Sequence, residues 1–288
     1  MKTLVNDVKT VALLAGLTGF VLIAGYLLGG TGGAMIALLI SLVMNMGALF
    51  FGDRIALMSM QAKEVGPEHR LYQITARLAQ RANMPMPKVY VSPQMAPNAF
   101  ATGRGPQSGK VCATEGLMQI LNENEIAGVM AHELAHIKHR DILISTVAAA
   151  IGGAITFIGY MFMFGGSSDE GEEQSPLAPI AGILVLILGP IAAALIQMAI
   201  SRQREYAADT EGARIAGDPM HLATALEKVH AYAHQIPMNA PPAMNAMMIA
   251  EPRNLRGQMA SLFQTHPALQ RRIQNLIGRP ATGLVRLG

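Results

Sequence analysis

The sequence predicts a mainly helical α+β protein, anchored by four transmembrane helices and carrying a water-facing domain built from two separate stretches of chain. Three observations predict it. Of 288 residues, 51% are hydrophobic and only 14% charged, against about 25% charged in an ordinary soluble domain. The mean hydropathy is +0.32. Long uncharged runs occur in two pairs, and every Lys and Arg lies outside them and outside the segment joining the second pair. This composition excludes a disordered or collagen-like chain. The single cysteine, Cys112, excludes an intrachain disulfide and a Cys-rich zinc module, and reads as a small apolar strand residue. A net charge of +3 is too mild for a nucleic-acid partner.

The first element is an N-terminal hairpin over residues 1–51. No residue from Thr10 to Gly52 is charged, and the run is broken only by the turn-prone Gly29-Gly30-Thr31-Gly32-Gly33. Val11–Leu28 and Ala34–Phe51 are each 18 residues long, roughly 27 Å of helix, close to the hydrocarbon thickness. Lys2 and Lys9 could mark a cleaved signal, but the apolar stretch is long and a second follows at once. The second hairpin, 143–200, consists of uncharged runs 143–164 and 179–200, the latter kinked by Pro190. The plainer alternative is a buried hairpin in a soluble lobe; length and absence of charge favour spanning.

Charge sets the orientation. Residues 1–9 hold 2 Lys and Arg, 52–142 hold 10 and 201–288 hold 10, whereas 165–178 holds none and carries Asp169, Glu170, Glu172 and Glu173. The positive-inside rule then puts both termini and 52–142 in the cytoplasm and the acidic segment outside. The basic inner side would favour anionic lipid headgroups.

The cytoplasmic domain comes from 52–142 and 201–288. The first part contains a helix near Glu68–Asn83, then strands at Lys88–Val91, Asn98–Thr102 and Lys110–Thr114, in hairpins or a small meander. The second reads as helical, with a loop over Pro237–Pro252.

Chemistry enters with His132-Glu133-Leu134-Ala135-His136. On a helix the two histidines stand one turn apart on one face, so both imidazoles can reach one ion, and neutral imidazole suits zinc. Glu133 points beside the ion and can take a proton from bound water. Asn122 with Glu125 forms a capping box that starts this helix. A third ligand is needed, and Ile142 occupies the place where an elongated motif would have another histidine. Glu205, in Ser201-Arg202-Gln203-Arg204-Glu205-Tyr206-Ala207-Ala208-Asp209, is the expected third ligand; Asp209, four residues on, would orient a ligating imidazole through its other N–H. Both ligand helices run directly into the second hydrophobic hairpin, which would hold them in register near the membrane surface.

Two weaker assignments complete the site. His266, with Arg271 or Arg272 behind it, is the candidate donor for a developing oxyanion, although a surface histidine explains it as well. The strand at Asn98–Gly103, with Asn98, Ala99, Phe100 and Ala101, is the candidate edge on which a peptide substrate would add as a strand, against the alternative of a structural hairpin. His230 and His234 lack an intervening base and read as helix-face residues; His139, between Lys138 and Arg140, reads as exposed.

Four segments together carry a family resemblance: Pro97-Asn98-Ala99-Phe100-Ala101-Thr102-Gly103, Ala131-His132-Glu133-Leu134-Ala135-His136, the stretch Ser201–Asp209, and Thr265-His266-Pro267. In this order around paired hydrophobic hairpins, the chain resembles the HtpX-type membrane metalloproteases of peptidase family M48, relatives of the CAAX prenyl protease class, over nearly its whole length. Ala268 departs from the second proline that often follows His-Pro in that family. The resemblance implies a gluzincin-like zinc metalloendopeptidase, multi-pass in the bacterial inner membrane with its active site cytoplasmic. It also implies quality control of damaged or misfolded membrane and cytoplasmic polypeptides under envelope or heat stress. It assigns His132, His136 and Glu205 to one Zn2+ per chain and Glu133 to catalysis.

Two other readings compete. An intramembrane protease would bury its metal within the bilayer, but Glu123, Glu125, Lys138 and Arg140 flank the motif, and charge at that density is costly in hydrocarbon. A catalytically inactive scaffold or sensor would be expected to have lost the base or a ligand, and both are present.

Overall fold

The computed structural model describes residues 2–141, 202–233 and 268–278. The predicted runs 143–164 and 179–200, the acidic segment 165–178, the loop 237–252, His234 and His266 lie outside the described residues.

Helix α1 (Lys2–Ser59) is helical throughout, yet it is not a straight rod. Gly30 has φ +57°. A Cβ built on Gly25 would lie 2.6 Å from the Gly33 carbonyl oxygen and 2.4 Å from the Ala37 Cβ. Residues eight apart on a straight helix are about 12 Å apart, so the chain doubles back at the glycine cluster. Only residues without bulk allow the two arms to touch there. Among the described residues no helix is long and apolar enough to cross a membrane, and many side chains of 2–49 stand outside that set.

The sheet has four strands: β1 (Lys63–Glu64), β2 (Lys88–Ser92), β3 (Ala99–Thr102) and β4 (Lys110–Thr114), in the order β1-β2-β4-β3. The strands fall where the sequence puts them, but the topology is not a meander. β4 inserts between β2, to which it is parallel, and β3, to which it is antiparallel. The reason is local. Thr114 Oγ1 donates to the Ala96 carbonyl at 2.9 Å and accepts from the Asn98 N–H at 2.9 Å, and Gly116 N–H donates to the Gln94 carbonyl. These bonds pin residues 94–98 across the end of β4, so β3 is laid on its far side.

Alternation along the strands divides two cores. Ala99, Ala101, Val111 and Ala113 face the main core, built with α2 (Arg70–Arg81) and the later helices. Phe100 and Cys112 face the opposite side, where Ala56, Leu57 and Met60 at the end of α1 cover them. Burial pushes the Cys112 thiol up to about 12, which suits an inert apolar strand residue. Lys110 pairs with Asp53, tying α1 to β4.

Helix α4 (Glu123–His139) follows the short α3 (Glu115–Ile120) and is the centre of the domain. Its start has the expected capping box, Asn122 Oδ1 accepting from Glu125 N–H and Glu125 Oε2 from Asn122 N–H. It packs against α2, β3, α5 (Arg202–Ala216) and α6 (Pro219–Ala233), with α7 (Leu269–Ile277) behind α5 and α6. Lys228 of α6 reaches Glu125 at 2.8 Å, and Lys138 of α4 reaches Glu211 of α5 at 2.7 Å. Glycine permits the closest approach: a Cβ on Gly128 would lie 2.6 Å from the His221 carbonyl carbon and the Leu222 nitrogen.

Backbone atoms cannot swing aside as a side chain can. Gly128→Ala is expected to separate α4 from α6 and cost about 1–3 kcal/mol of stability, as overpacked cores do. Thermal unfolding of the purified protein reads this; an unchanged midpoint would mean that the two helices do not meet this closely.

Candidate metal centre

Three of the predicted residues converge. His132 Nε2 and His136 Nε2 are 3.1 Å apart; Glu205 Oε2 is 3.7 Å from the first and Glu205 Oε1 3.4 Å from the second. Helical periodicity places the histidines on one face of α4, and α5 lays Glu205 across them. Gly212 makes this crossing possible, because a Cβ there would lie 2.8 Å from His132 Cα. His132 and Glu205 are buried and His136 is partly so.

The donor set fits a divalent ion of borderline softness. A tetrahedral centre with ligands about 2.1 Å away has donor–donor edges of about 3.4 Å, and the observed edges bracket that value. Protonation points the same way. Asp209 Oδ1 lies 3.0 Å from His132 Nδ1, and Asp141 Oδ2 lies 3.2 Å from His136 Nδ1. A carboxylate beside Nδ1 is the partner that a metal-bound imidazole takes through its other N–H; of the two, His136 makes the hydrogen bond, to Asp141. The two Nε2 atoms, 3.1 Å apart, converge on one point where a divalent ion would sit.

The carboxylates are themselves held. Arg272, on α7 and 2% exposed, donates from Nε to Asp209 Oδ2 at 2.9 Å and from Nη2 to Oδ1 at 2.6 Å. Its Nη1 lies 3.9 Å from Glu205 Oε2. Burial alone would raise the Asp209 pKa; the Arg272 guanidinium and His132 outweigh it and bring it to about 2. Burial opposes charge on His136 too, but Glu205, the Asp141 bond and Glu133 hold the ring well above its ordinary value. Glu133 is buried on α4 beside these groups, and its charge acts on both His136 and Arg272.

Other expectations sort themselves. Of the two arginines placed behind His266, Arg272 is buried against the ligands and committed to Asp209, whereas Arg271 is exposed. His139 is partly buried, its Nδ1 4.0 Å from Asp141, rather than simply exposed. His230 is exposed on α6. Asn98 is buried at the start of β3, and Ala99, Phe100 and Ala101 turn their side chains into the two cores. β3 is the terminal strand of the sheet, and its residues are buried throughout.

Sequence reasoning passed over Asp141 and the grip of Arg272 on Asp209. Asp141 reaches His136 because Arg140 ends α4 in the left-handed conformation, φ +60°, and turns the next residue back over the last turn. An acidic residue just past a C-terminal cap, five after a ligand, was the available signal. No periodicity links Arg272 to Asp209.

Arg272→Ala is expected to strand a buried carboxylate, costing about 3–5 kcal/mol. Asp209→Asn, which keeps the shape, is expected to lower metal affinity about 10–100-fold. Chelator competition on the purified variants separates the two effects, and unchanged affinity in Asp209→Asn would remove Asp209 from the centre.

The model of peptidase family M48 matches residues 66–279. Protease HtpX homologs from Desulfatibacillum aliphaticivorans and Burkholderia ambifaria (strain MC40-6) are each 50% identical to this chain, over 285 and 283 residues. These matches cover 96% of this chain and 91% and 98% of theirs. Among solved structures, S. mikatae Ste24p shares the fold, with a TM-score of 0.51 at 20% identity. That match covers 96% of this chain and 66% of that one, so about a third of Ste24p has no counterpart here. With most of its length inside the family model and half its residues shared with these relatives, the chain belongs to peptidase family M48, as a metalloprotease of the HtpX type.

Proposed function

We propose that the chain is a zinc-dependent endopeptidase of the bacterial inner membrane that cleaves damaged or misfolded polypeptides on the cytoplasmic side. The single observation that carries the reading is the triangle of His132, His136 and Glu205, with a carboxylate at each histidine Nδ1. The two histidines and Glu205 hold one Zn2+ per chain. The ion, when bound, supplies acidity to a water molecule and polarises the peptide carbonyl. Asp209 and Asp141 keep the ligating imidazoles in one tautomer and one orientation. Glu133 takes the proton of the attacking water and returns it to the leaving amine. His266 completes the site as donor to the developing oxyanion. Asn98–Ala101, in and before the terminal strand β3, bind the substrate main chain as an added strand.

The hydrophobic hairpins at 1–51 and 143–200 anchor the two halves of this gluzincin-like domain, 52–142 and 201–288. Chain leaves α4 three residues past His136 and enters α5 three residues before Glu205. The intervening hairpin, 143–200, therefore starts and ends within about two turns of the ligands, which sets the centre close to the bilayer and favours membrane polypeptides as substrates.

Glu133→Gln is expected to retain zinc and lose about 10²–10⁴-fold in cleavage of an unfolded protein such as casein; wild-type cleavage would exclude Glu133 as base. Glu205→Ala is expected to lose zinc, and full stoichiometric retention would exclude it as ligand. A topology reporter fused at Asp169 should read periplasmic, and a cytoplasmic signal there would overturn the four-span arrangement.

A further inference from the structure

Where the uncharged N-terminal run ends, the structure forms an open apolar cavity of about 880 Å³ on the second arm of α1. Leu42, Val43, Met46, Phe50 and Phe51 line it, and each is 47–70% exposed. Two arginines close one end. Arg54 follows the run directly, its guanidinium 5.9 Å from the centre of the Phe51 ring. Arg104 comes from the turn after β3, its guanidinium 4.9 Å from the Phe50 ring. That turn is built to present it. Gly103 has φ +120°, and a Cβ there would strike the Ser108 carbonyl at 2.5 Å. The nearest acid in sequence, Asp53, is taken by Lys110. Neither guanidinium has a carboxylate partner among the described residues. Stacking on a ring occupies the flat face of a guanidinium and leaves its N–H edge free for an anion.

We infer that this is a binding site for an anionic phospholipid of the cytoplasmic leaflet. Its phosphate sits between Arg54 and Arg104, and an acyl chain lies along Phe51, Phe50, Met46 and Leu42. The dimensions agree. From Leu42 to Arg54 is twelve residues, roughly 18 Å of helix, and one leaflet of hydrocarbon is about 15 Å deep. Paired guanidinium groups match phosphate oxygens in shape and charge. A peptide or a second copy of this chain would cover the apolar wall but leave both arginines without an anion. The headgroup bridges α1 and the turn leaving β3, so the lipid fastens the anchor to the sheet. The inference rests on the reading that residues 34–51 lie in the bilayer.

The test uses the full-length protein, purified in neutral detergent and studied by native mass spectrometry. The probes are a phosphatidylglycerol and a phosphatidylcholine with the same acyl chains, and inorganic phosphate. Wild type should retain one phosphatidylglycerol with roughly thirtyfold preference over phosphatidylcholine, about fivefold for each arginine. The double variant Arg54→Gln/Arg104→Gln should bring the two lipids to near parity, and Arg77→Gln, an exposed arginine on α2, should not. Equal binding of both lipids by wild type, or an unchanged preference in the double variant, would overturn the site. So would displacement of the lipid by millimolar inorganic phosphate, or a lipid-free dimer closing over the groove. Carbonate extraction of cell membranes separates the underlying reading: release of the chain into the soluble fraction defeats the membrane placement itself, whereas retention without lipid preference defeats the lipid site alone.

Discussion

The Nε2 atoms of His132 and His136, 3.1 Å apart and both facing Glu205, are the constraint on which the rest of the domain depends. Three donor groups cannot be crowded around one point in a protein interior without a cation to share and a scaffold to hold them. Much of the fold is that scaffold. α4 carries two of the donors on one face, and α5 crosses it closely enough to deliver the third. Gly212 is the residue that makes the crossing short. The sheet backs α4 on one side and α6 on another, with α7 behind α5 and α6.

Charge is arranged outward from that point in alternating shells. Behind the histidines stand Asp209 and Asp141; behind Asp209 stands Arg272. Along this line from His132 to Arg272 each buried charge is answered by the next, which lowers the cost of keeping ions out of water. The chain of partners also explains why α7, distant in sequence, packs where it does: Arg272 must reach Asp209 through the gap beside α5. Glu125, Lys228, Lys138 and Glu211 repeat the device at the periphery, joining α4 to α6 and α5 through partly exposed pairs that add modestly to stability.

The sheet has a different task. Its two faces are covered, one by the main core and one by the end of α1, so the terminal strand β3 is fixed from both sides. The same covering of Phe100 and Cys112 by Ala56, Leu57 and Met60 couples the apolar N-terminal run to the domain beneath it.

The sequence by itself determined whatever depends on near neighbours. Apolar runs, strand alternation, the Asn122–Glu125 cap, the turn at Gly30 and the shared face of His132 and His136 follow from spacings of one to four residues, and all are legible in the chain. Glu205 and Asp209 were legible as a pair for the same reason. The tertiary structure alone decided that β4 lies between β2 and β3, that Arg272 rather than Arg271 answers Asp209, that Asp141 turns back onto His136, and that Arg104 and Arg54 line one cavity beside Phe50 and Phe51. Those contacts, Asp141 excepted, join groups far apart along the chain, and no local periodicity encodes them. Asp141 is close in sequence, but its direction depends on a left-handed Arg140, a conformation that non-glycine residues adopt only when the surrounding packing requires it.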